Sequence, residues 1–200
     1  MTRFLIGIDE AGRGPLAGPV AVGVVKIPRE NMKYFRGVKD SKQLSEKQRE
    51  VWLRKIQKLS KEGKLEYSVS FSSAEVIDKK GIVKAISLAL ARSLRKLVPL
   101  AKEKFVEVLL DGSLKAPSRF SNQKTIIRGD EKRLVIALAS ILAKVLRDRM
   151  MKRFAKKYPK FSFEIHKGYG TLSHRKSIRK YGPSKIHRGS FLQFFRGIKK

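Results

Sequence analysis

Cysteine is absent from all 200 residues, which excludes disulfides, thiolate metal sites and cysteine nucleophiles and fits a reducing compartment. Acids are scarce: 17 Asp and Glu stand against 47 Lys and Arg, a formal charge of +30. Self-repulsion on that scale works against a compact state, so the imbalance points to a polyanionic partner, nucleic acid before any other. The bias steepens toward the end, where residues 151–200 hold 15 Lys or Arg and one acid, Glu164; that face is expected along a phosphate backbone. Long apolar runs are missing too. The longest uncharged stretches, Gly14 to Val25 and Leu134 to Ala143, fall short of the roughly 20 apolar residues that a membrane helix requires. The first residues also lack the apolar segment and cleavage site of a secretory leader. The expectation is a soluble, cytoplasmic protein. There is no repeat, heptad array or low-complexity tract, and the length suffices for one domain with its own core.

What is present reads as alternating strands and helices. Phe4-Leu-Ile-Gly-Ile is a short buried strand, and the small and β-branched run Gly18 to Ile27 pairs with it as a hairpin across a glycine-rich turn. Ser45 and Gln48 have the spacing of a capping box, and Val51, Leu53, Ile56 and Leu59 carry the helix to Gly63. Leu65 to Ser72 alternates Leu, Tyr, Val and Phe with polar residues, which predicts a third strand with one wet face. A short helix at Ala74–Asp78 and a longer one through Ile82, Val83, Ile86, Leu90, Leu94 and Leu97 follow. Phe105 to Asp111 is the fourth strand, residues 113–123 a loop, and Thr125–Ile127 a short fifth strand. Gly129-Asp130 leads into a long helix, from Leu134 to about Tyr158. Thr171 or Ser173 caps a last helix that stops before Gly182-Pro183. The pattern is that of an α/β domain with a mixed sheet: residues 1–158 as a catalytic domain, and 159–200 as a basic helical extension packed on it.

Four carboxylates stand at or beside the ends of apolar runs: Asp9, Glu10, Asp111 and Asp130. If strands one, four and five are neighbours, these converge, and clustered carboxylates repel unless cations bind. Hard divalent ions suit oxygen ligands, and a pair of Mg²⁺ or Mn²⁺ ions clamping a phosphodiester is the arrangement such a cluster serves. Consecutive strand residues face opposite ways, so the first strand must end at Asp9 and Glu10 for both to reach one site. Without a ligand, the same residues read as a solvated strand end, a type I turn acid at Asp111 and a helix N-cap at Asp130. Asp148 competes for the fourth place; Asp130 is preferred because Asp148 sits among arginines and reads as a helix-surface ion pair.

Around the acids, Gly12-Arg13-Gly14 turns the chain and exposes backbone groups to a ligand, with a guanidinium for a phosphate. Asp40-Ser41-Lys42 offers a hydroxyl and an ammonium. Lys167-Gly168-Tyr169-Gly170-Thr171 places a tyrosine on a basic loop, fit to stack on a sugar or base, or else to enter the core. His166, His174 and His187 show no metal-ligand spacing and read as structural or phosphate-facing. Ser140 and Lys144, inside the long helix, read as packing and surface positions.

In this order, Gly7-Ile-Asp9-Glu10-Ala-Gly12-Arg13-Gly14, Asp40-Ser41-Lys42, Leu110-Asp111-Gly112, Gly129-Asp130, Ala139 to Val145, Arg147-Asp148, His166 to Thr171 and Ile186-His187-Arg188 resemble the type 2 ribonucleases H, ribonuclease HII in its compact bacterial form. The match spans nearly the whole chain. The resemblance implies a ribonuclease H-like fold with a central mixed five-stranded sheet flanked by helices. It implies cleavage of RNA in RNA/DNA hybrids and incision on the 5′ side of ribonucleotides embedded in duplex DNA, leaving 3′-hydroxyl and 5′-phosphate ends. By position, Asp9, Glu10, Asp111 and Asp130 would hold two Mg²⁺ or Mn²⁺ ions. Gly12, Arg13 and Gly14 would read the ribose 2′-hydroxyl, Ser41, Lys42 and Lys167 would meet the backbone, and Tyr169 would stack at the RNA-to-DNA junction. The chain departs from the family pattern at Gly81, where asparagine is common, and at Arg133, Val135 and Leu138, where small or hydroxylated residues are commoner. Its tail, Phe191-Leu-Gln-Phe-Phe-Arg, does not match a clamp-binding motif well enough to predict that partner; a monomer, with no particular protein partner, is the expectation. Charge alone would also allow a non-catalytic RNA-binding module, which would leave the acids unexplained.

Overall fold

The computed structural model describes residues 3–193. In chain order the elements are β1 (Phe4–Ala11), β2 (Val20–Pro28), α1 (Glu46–Lys61), β3 (Glu66–Ser72), α2 (Ala74–Lys80), α3 (Ile82–Leu97), β4 (Val106–Asp111), β5 (Gln123–Ile126), α4 (Gly129–Lys132), α5 (Leu134–Lys157), α6 (Phe163–His166) and α7 (Leu172–Tyr181), with short 3₁₀ turns between some of them. The sheet order is β3-β2-β1-β4-β5. β1 pairs antiparallel with β2, and β2 with β3, whereas β1–β4 and β4–β5 are parallel. The expected mixed five-stranded sheet is therefore present, and β1, β4 and β5 are neighbours.

The two faces of the sheet are covered by different helices. On one, Ile6, Ile8, Val22, Val24, Val108 and Leu110 pack against Ala85, Ile86, Ala89 and Leu90 of α3. On the other, Val25, Ile27 and Leu109 meet Val135, Leu138, Ile141 and Leu142 of α5, with Leu53, Ile56 and Leu59 of α1 outside them. From Val135 to Ala143 every residue of α5 is buried, so the middle of the sheet lies directly under this helix. Glycines permit it. A Cβ on Gly7 would stand 2.1 Å from the Val135 carbonyl oxygen, and one on Gly23 would stand 2.3 Å from that of Ala139. Val135 and Leu138, two of the departures from the family pattern, are core residues here, and Gly81 closes α2 at φ +76°.

Local signals set most boundaries. Ser45 and Gln48 form the capping box of α1, Thr171 caps α7 by accepting the His174 N–H, and Gly182 ends it. Val51 and Val83, placed on the apolar stripes by the sequence, are 51% and 68% exposed; both fall one position off the helical face. β3 reverses the expectation for its wet face. Ser68, Ser70 and Ser72 are the buried residues, whereas Tyr67, Val69 and Phe71 are half-buried on the α1/α5 side. The physical reason is a close approach of small residues: Ser93 on α3 bonds to Ser70 at 2.9 Å and receives Ser68 at 3.4 Å, and Ser72 donates to the Ala85 carbonyl at 2.8 Å. Beyond α5, Phe161, Phe163 and Ile178 form a third cluster with Leu16, Ala17, Met151 and Ala155, which fastens residues 159–193 to the β1–β2 connection and to the far half of α5. The clamp-binding comparison falls partly on residues 194–196, outside the described residues.

Candidate active site

β1 does not end at its acids. It continues through both to Ala11, with Asp9 opposite Gly23 and Glu10 opposite Val22, and the chain turns only at Gly12, φ +93°. The alternation of a regular strand therefore holds. Asp9 falls on the α5 face with Gly7 and Gly23, and Glu10 falls on the α3 face with Val22. Asp111 ends β4 one residue after Leu110, which pairs with Ile8, and so shares the face of Asp9. Its Oδ1 accepts the Gly129 N–H at 2.6 Å, which fixes the start of α4 against β4. Asp130 follows inside that first turn. It is not the N-cap, a place held by Arg128 at φ +54° without a side-chain bond.

The outcome is a trio: single carboxylate oxygens of Asp9, Asp111 and Asp130 lie within 4.8 Å of one another. Glu10 stands outside it, next to Asp111, with its carboxylate 3.5 Å from the Arg13 guanidinium. Asp148 takes no part. It is buried rather than on the helix surface, paired with Lys144 at 2.9 Å, and Arg133 separates α4 from α5, so that Asp130 and Asp148 do not share one helix.

Electrostatics mark the trio as incomplete. Asp9 is pushed well above the usual carboxylate range by burial, and further by the charges of Glu10 and Asp111; the Ser140 hydroxyl and the Glu10 N–H oppose this. Burial also raises Glu10, against the pull of Arg13. Burial works against ionisation of Asp130 too, but the Lys42 ammonium, 2.9 Å away, holds it below the ordinary value. Asp40 beside it is raised by burial. Oxygen donors at this spacing suit a hard cation with ligands at about 2.0–2.1 Å, and the Lys42 ammonium already lies on one of them, so the residues fit a divalent ion.

Asp9, Glu10 and Asp111, but not Asp130, open on a cavity of about 250 Å³ also lined by the Gly12–Gly14 turn, Ser41, Lys42, Ser140, Lys144, Arg147 and Tyr169. Arg13 and Gly14 are exposed and no side chain covers Gly14. Tyr169 is 45% exposed, settling the choice between loop and core, with the Arg147 guanidinium 5.8 Å from its ring. Lys167 is half-buried, and its ammonium is held by the Glu164 carbonyl. Ser41, expected to meet a phosphate, is buried and bonds to Ser140 at 2.7 Å. Either hydroxyl can donate in that bond, and the Ser140 hydroxyl also lowers Asp9.

The described structure and the known proteins agree. The model of the family described as Ribonuclease HII matches residues 6–194. The chain belongs to the ribonuclease HII family. It is thus an enzyme, an endonuclease of the ribonuclease H class. A ribonuclease HII of Endomicrobium trichonymphae is 46% identical over 185 residues, 92% of this chain and 83% of the relative; one of Caldicellulosiruptor bescii is 46% identical over 191 residues, 96% and 87%. The ribonuclease HII solved with PCNA from Archaeoglobus fulgidus superposes with a TM-score of 0.73 at 27% identity, covering 93% of this chain and 94% of that one. The ribonuclease H-like fold follows from this likeness and from the sheet itself.

Residues missed by the sequence share one trait: they are polar groups inside apolar helices or far away in the chain. Ser140 and Lys144, read as packing and surface, line the cavity. Arg147 and Arg188 are 1% and 0% exposed, although arginine normally signals surface. A polar residue every turn along an otherwise buried helix was the available clue.

Proposed function

We propose that this ribonuclease HII incises duplex DNA on the 5′ side of an embedded ribonucleotide, and cuts the RNA strand of RNA/DNA hybrids, with two divalent cations, Mg²⁺ or Mn²⁺. The observation that carries this reading is the shared cavity: Asp9 and Asp111, which with Asp130 bring carboxylate oxygens within 4.8 Å of one another, open on the same space as Glu10, the exposed Arg13–Gly14 segment and an exposed tyrosine. Asp9, Asp111 and Asp130 would hold one ion, and Glu10, beside Asp111, would help to hold a second. The bound cations would supply neutralisation of the scissile phosphate and of the departing oxygen. Around them the Ser140 hydroxyl, bonded in turn to Ser41, would orient Asp9 and offset part of the cost of ionising it. The Gly12–Gly14 turn, exposed at Arg13 and Gly14, would approach the ribose, where the 2′-hydroxyl distinguishes RNA from DNA. Arg13 and Lys42 offer positive charge to adjoining phosphates, and Tyr169 supplies a stacking face to the sugar or base at the junction. Attack of water on the phosphorus would form the new P–O bond as P–O3′ breaks, leaving the upstream strand with a 3′-hydroxyl, which takes up a proton, and the ribonucleotide with a 5′-phosphate.

The test is a labelled duplex carrying one ribonucleotide, incubated with Mg²⁺ or Mn²⁺ and resolved beside a uniform RNA/DNA hybrid. A single nick 5′ to the ribonucleotide, dependent on the metal, is the expected product. Cleavage of the hybrid with no attack on the single ribonucleotide would reduce the reading to a hybrid-tract nuclease, and Tyr169→Ala should lower the preference for the single site.

A further inference from the structure

The two segments assigned above to ribonucleotide reading, Gly12–Gly14 and Tyr169, lie more than 150 residues apart in sequence, yet they meet. Backbone bonds tie them through a third segment. Leu16 N–H donates to the Gly168 carbonyl at 2.9 Å, Gly18 N–H to the Ile186 carbonyl at 2.8 Å, and Arg188 N–H to the Leu16 carbonyl at 2.8 Å. Contact is so close that a Cβ on Gly168 would sit 2.4 Å from the Ala17 carbonyl oxygen. Both side chains of the His187-Arg188 pair are buried at this meeting point.

Arg188 serves the first loop. Its guanidinium donates to the carbonyls of Gly12 at 2.6 Å, Arg13 at 2.9 Å and Gly18 at 3.0 Å. His187 serves the second through a relay whose direction can be deduced. The His187 Nδ1 accepts the Ser184 N–H at 2.9 Å, so its proton is on Nε2. That Nε2 lies 3.0 Å from His174 Nε2, which must accept, leaving the His174 proton on Nδ1. From there it reaches the Tyr169 carbonyl at 2.8 Å. His166 stacks on His174 at 4.3 Å and accepts the Gly168 N–H at 3.1 Å. The chain of donors needs neutral rings, and burial, which pushes His174 and His187 down to about 4, supplies them.

We propose that His187 and Arg188 are positioning residues that set the Tyr169 loop against the Gly12–Gly14 loop, His187 acting through His174. Neither touches a cavity acid; Arg188 holds the backbone of the cavity-lining Gly12 and Arg13 from behind, and together they fix the spacing of the two groups that read a ribonucleotide and its neighbour. The inference rests on the reading of those loops given above, and its tests separate the two.

The relay itself is tested without substrate, on the parent protein with ¹⁵N-labelled histidine. Two-bond ¹H–¹⁵N spectra at pH 7 should show His187 protonated on Nε2 and His174 on Nδ1; the opposite tautomer at either ring overturns the relay. The functional arm compares kcat/KM for a single-ribonucleotide duplex with that for a uniform hybrid. In His174→Gln, which cannot place a donor at the Tyr169 carbonyl, the ratio should fall about tenfold. In His174→Asn, whose amide N–H stands near the Nδ1 position, most of it should return, and Arg188→Lys should lower the same ratio. Equal losses on both substrates in step with a lower melting temperature, or no change in the ratio, would reduce these residues to core staples and overturn the proposal. A parent that ignores single ribonucleotides would instead overturn the reading of the loops, while the tautomers still decide the relay.

Discussion

The two faces of one sheet solve the same packing problem and finish differently. On each, a helix approaches closely because the residues beneath it are small: Ser68, Ser70 and Ser72 under α3, Gly7 and Gly23 under α5. Under α3 every one of those serines is hydrogen-bonded and the face closes on itself. Under α5 the same closeness ends in Asp9, a carboxylate almost wholly out of water with two acidic neighbours. The difference teaches where the function sits. A satisfied polar seam holds the fold, whereas a seam left with unneutralised charge calls for a ligand.

Breaking the α5 face should have the largest effect. Gly7→Ala puts a methyl group 2.1 Å from a backbone oxygen of the central helix, and neither partner is a side chain that can swing aside. A loss of about 4 kcal/mol or more is expected, measured by urea unfolding, with Gly23→Ala close behind. Equal stability for Gly7→Ala and the parent would show that α5 does not rest on β1 as described.

Next comes the charge itself. Asp9→Asn should lower cleavage by about 10³-fold, a barrier increase of ~4 kcal/mol, and at the same time raise the melting temperature of the metal-free protein. The sign follows from linkage. Asp9 is raised above its unfolded value, so at neutral pH its ionisation is harder in the fold than in the open chain and works against stability. Mg²⁺ should stabilise the parent in thermal scans and do so much less in Asp9→Asn. A variant that is less stable than the parent and equally responsive to Mg²⁺ would remove the cation site from the α5 face.

Much of this comparison was legible in the sequence, and the parts that were not have physical causes. Strand and helix order, the capping box at Ser45 and the acid at the end of β4 are set by local periodicity and caps, which a sequence displays. The gathering of Asp9, Asp111 and Asp130 was also readable, since each acid leaves an apolar run. Hidden were features decided by contacts across the fold. The serine face of β3 looked wet because serine is polar, and its partners on α3, Ser93 and the Ala85 carbonyl, lie 13 to 25 residues further along the chain. Glu10 looked equivalent to Asp9, yet β1 runs two residues past Asp9 before it turns. Arg188 looked like one more basic residue of the tail, while its three carbonyl partners lie about 170 residues back.

The far end of α5 supplies a third case, buried titratable groups that stay neutral. His174 and His187 are lowered from 6.5 to about 4, so between those values the unfolded chain binds protons that the fold does not. Their contribution is complete above about pH 6.5 and is lost as pH falls toward 4. A shift of this size corresponds to ~3 kcal/mol for a ring, and the protein should lose stability on that order across the window. His166, with Glu164 and Lys167 near it, faces the pair, and the raised Asp9 and Glu10 act in the opposite direction by shedding charge. The measurement is therefore a difference: the drop in melting temperature from pH 7 to pH 4.5 should be smaller in His187→Asn than in the parent. Equal drops would place the pH sensitivity elsewhere.

The smallest effect belongs to the closed face and sharpens the contrast. Ser70→Ala removes one hydroxyl from the seam under α3, leaving Ser93 with Ser68 as its remaining partner at 3.4 Å. One neutral hydrogen bond is worth about 1 kcal/mol, and the methyl group that remains still fits beneath the helix, so unfolding should shift by about that amount. Cleavage of either substrate should be unchanged, because no residue of this seam reaches the cavity. A large loss of activity in Ser70→Ala at nearly parental stability would mean that the two faces communicate through the sheet, and that the division between a closed structural seam and an open catalytic one does not hold.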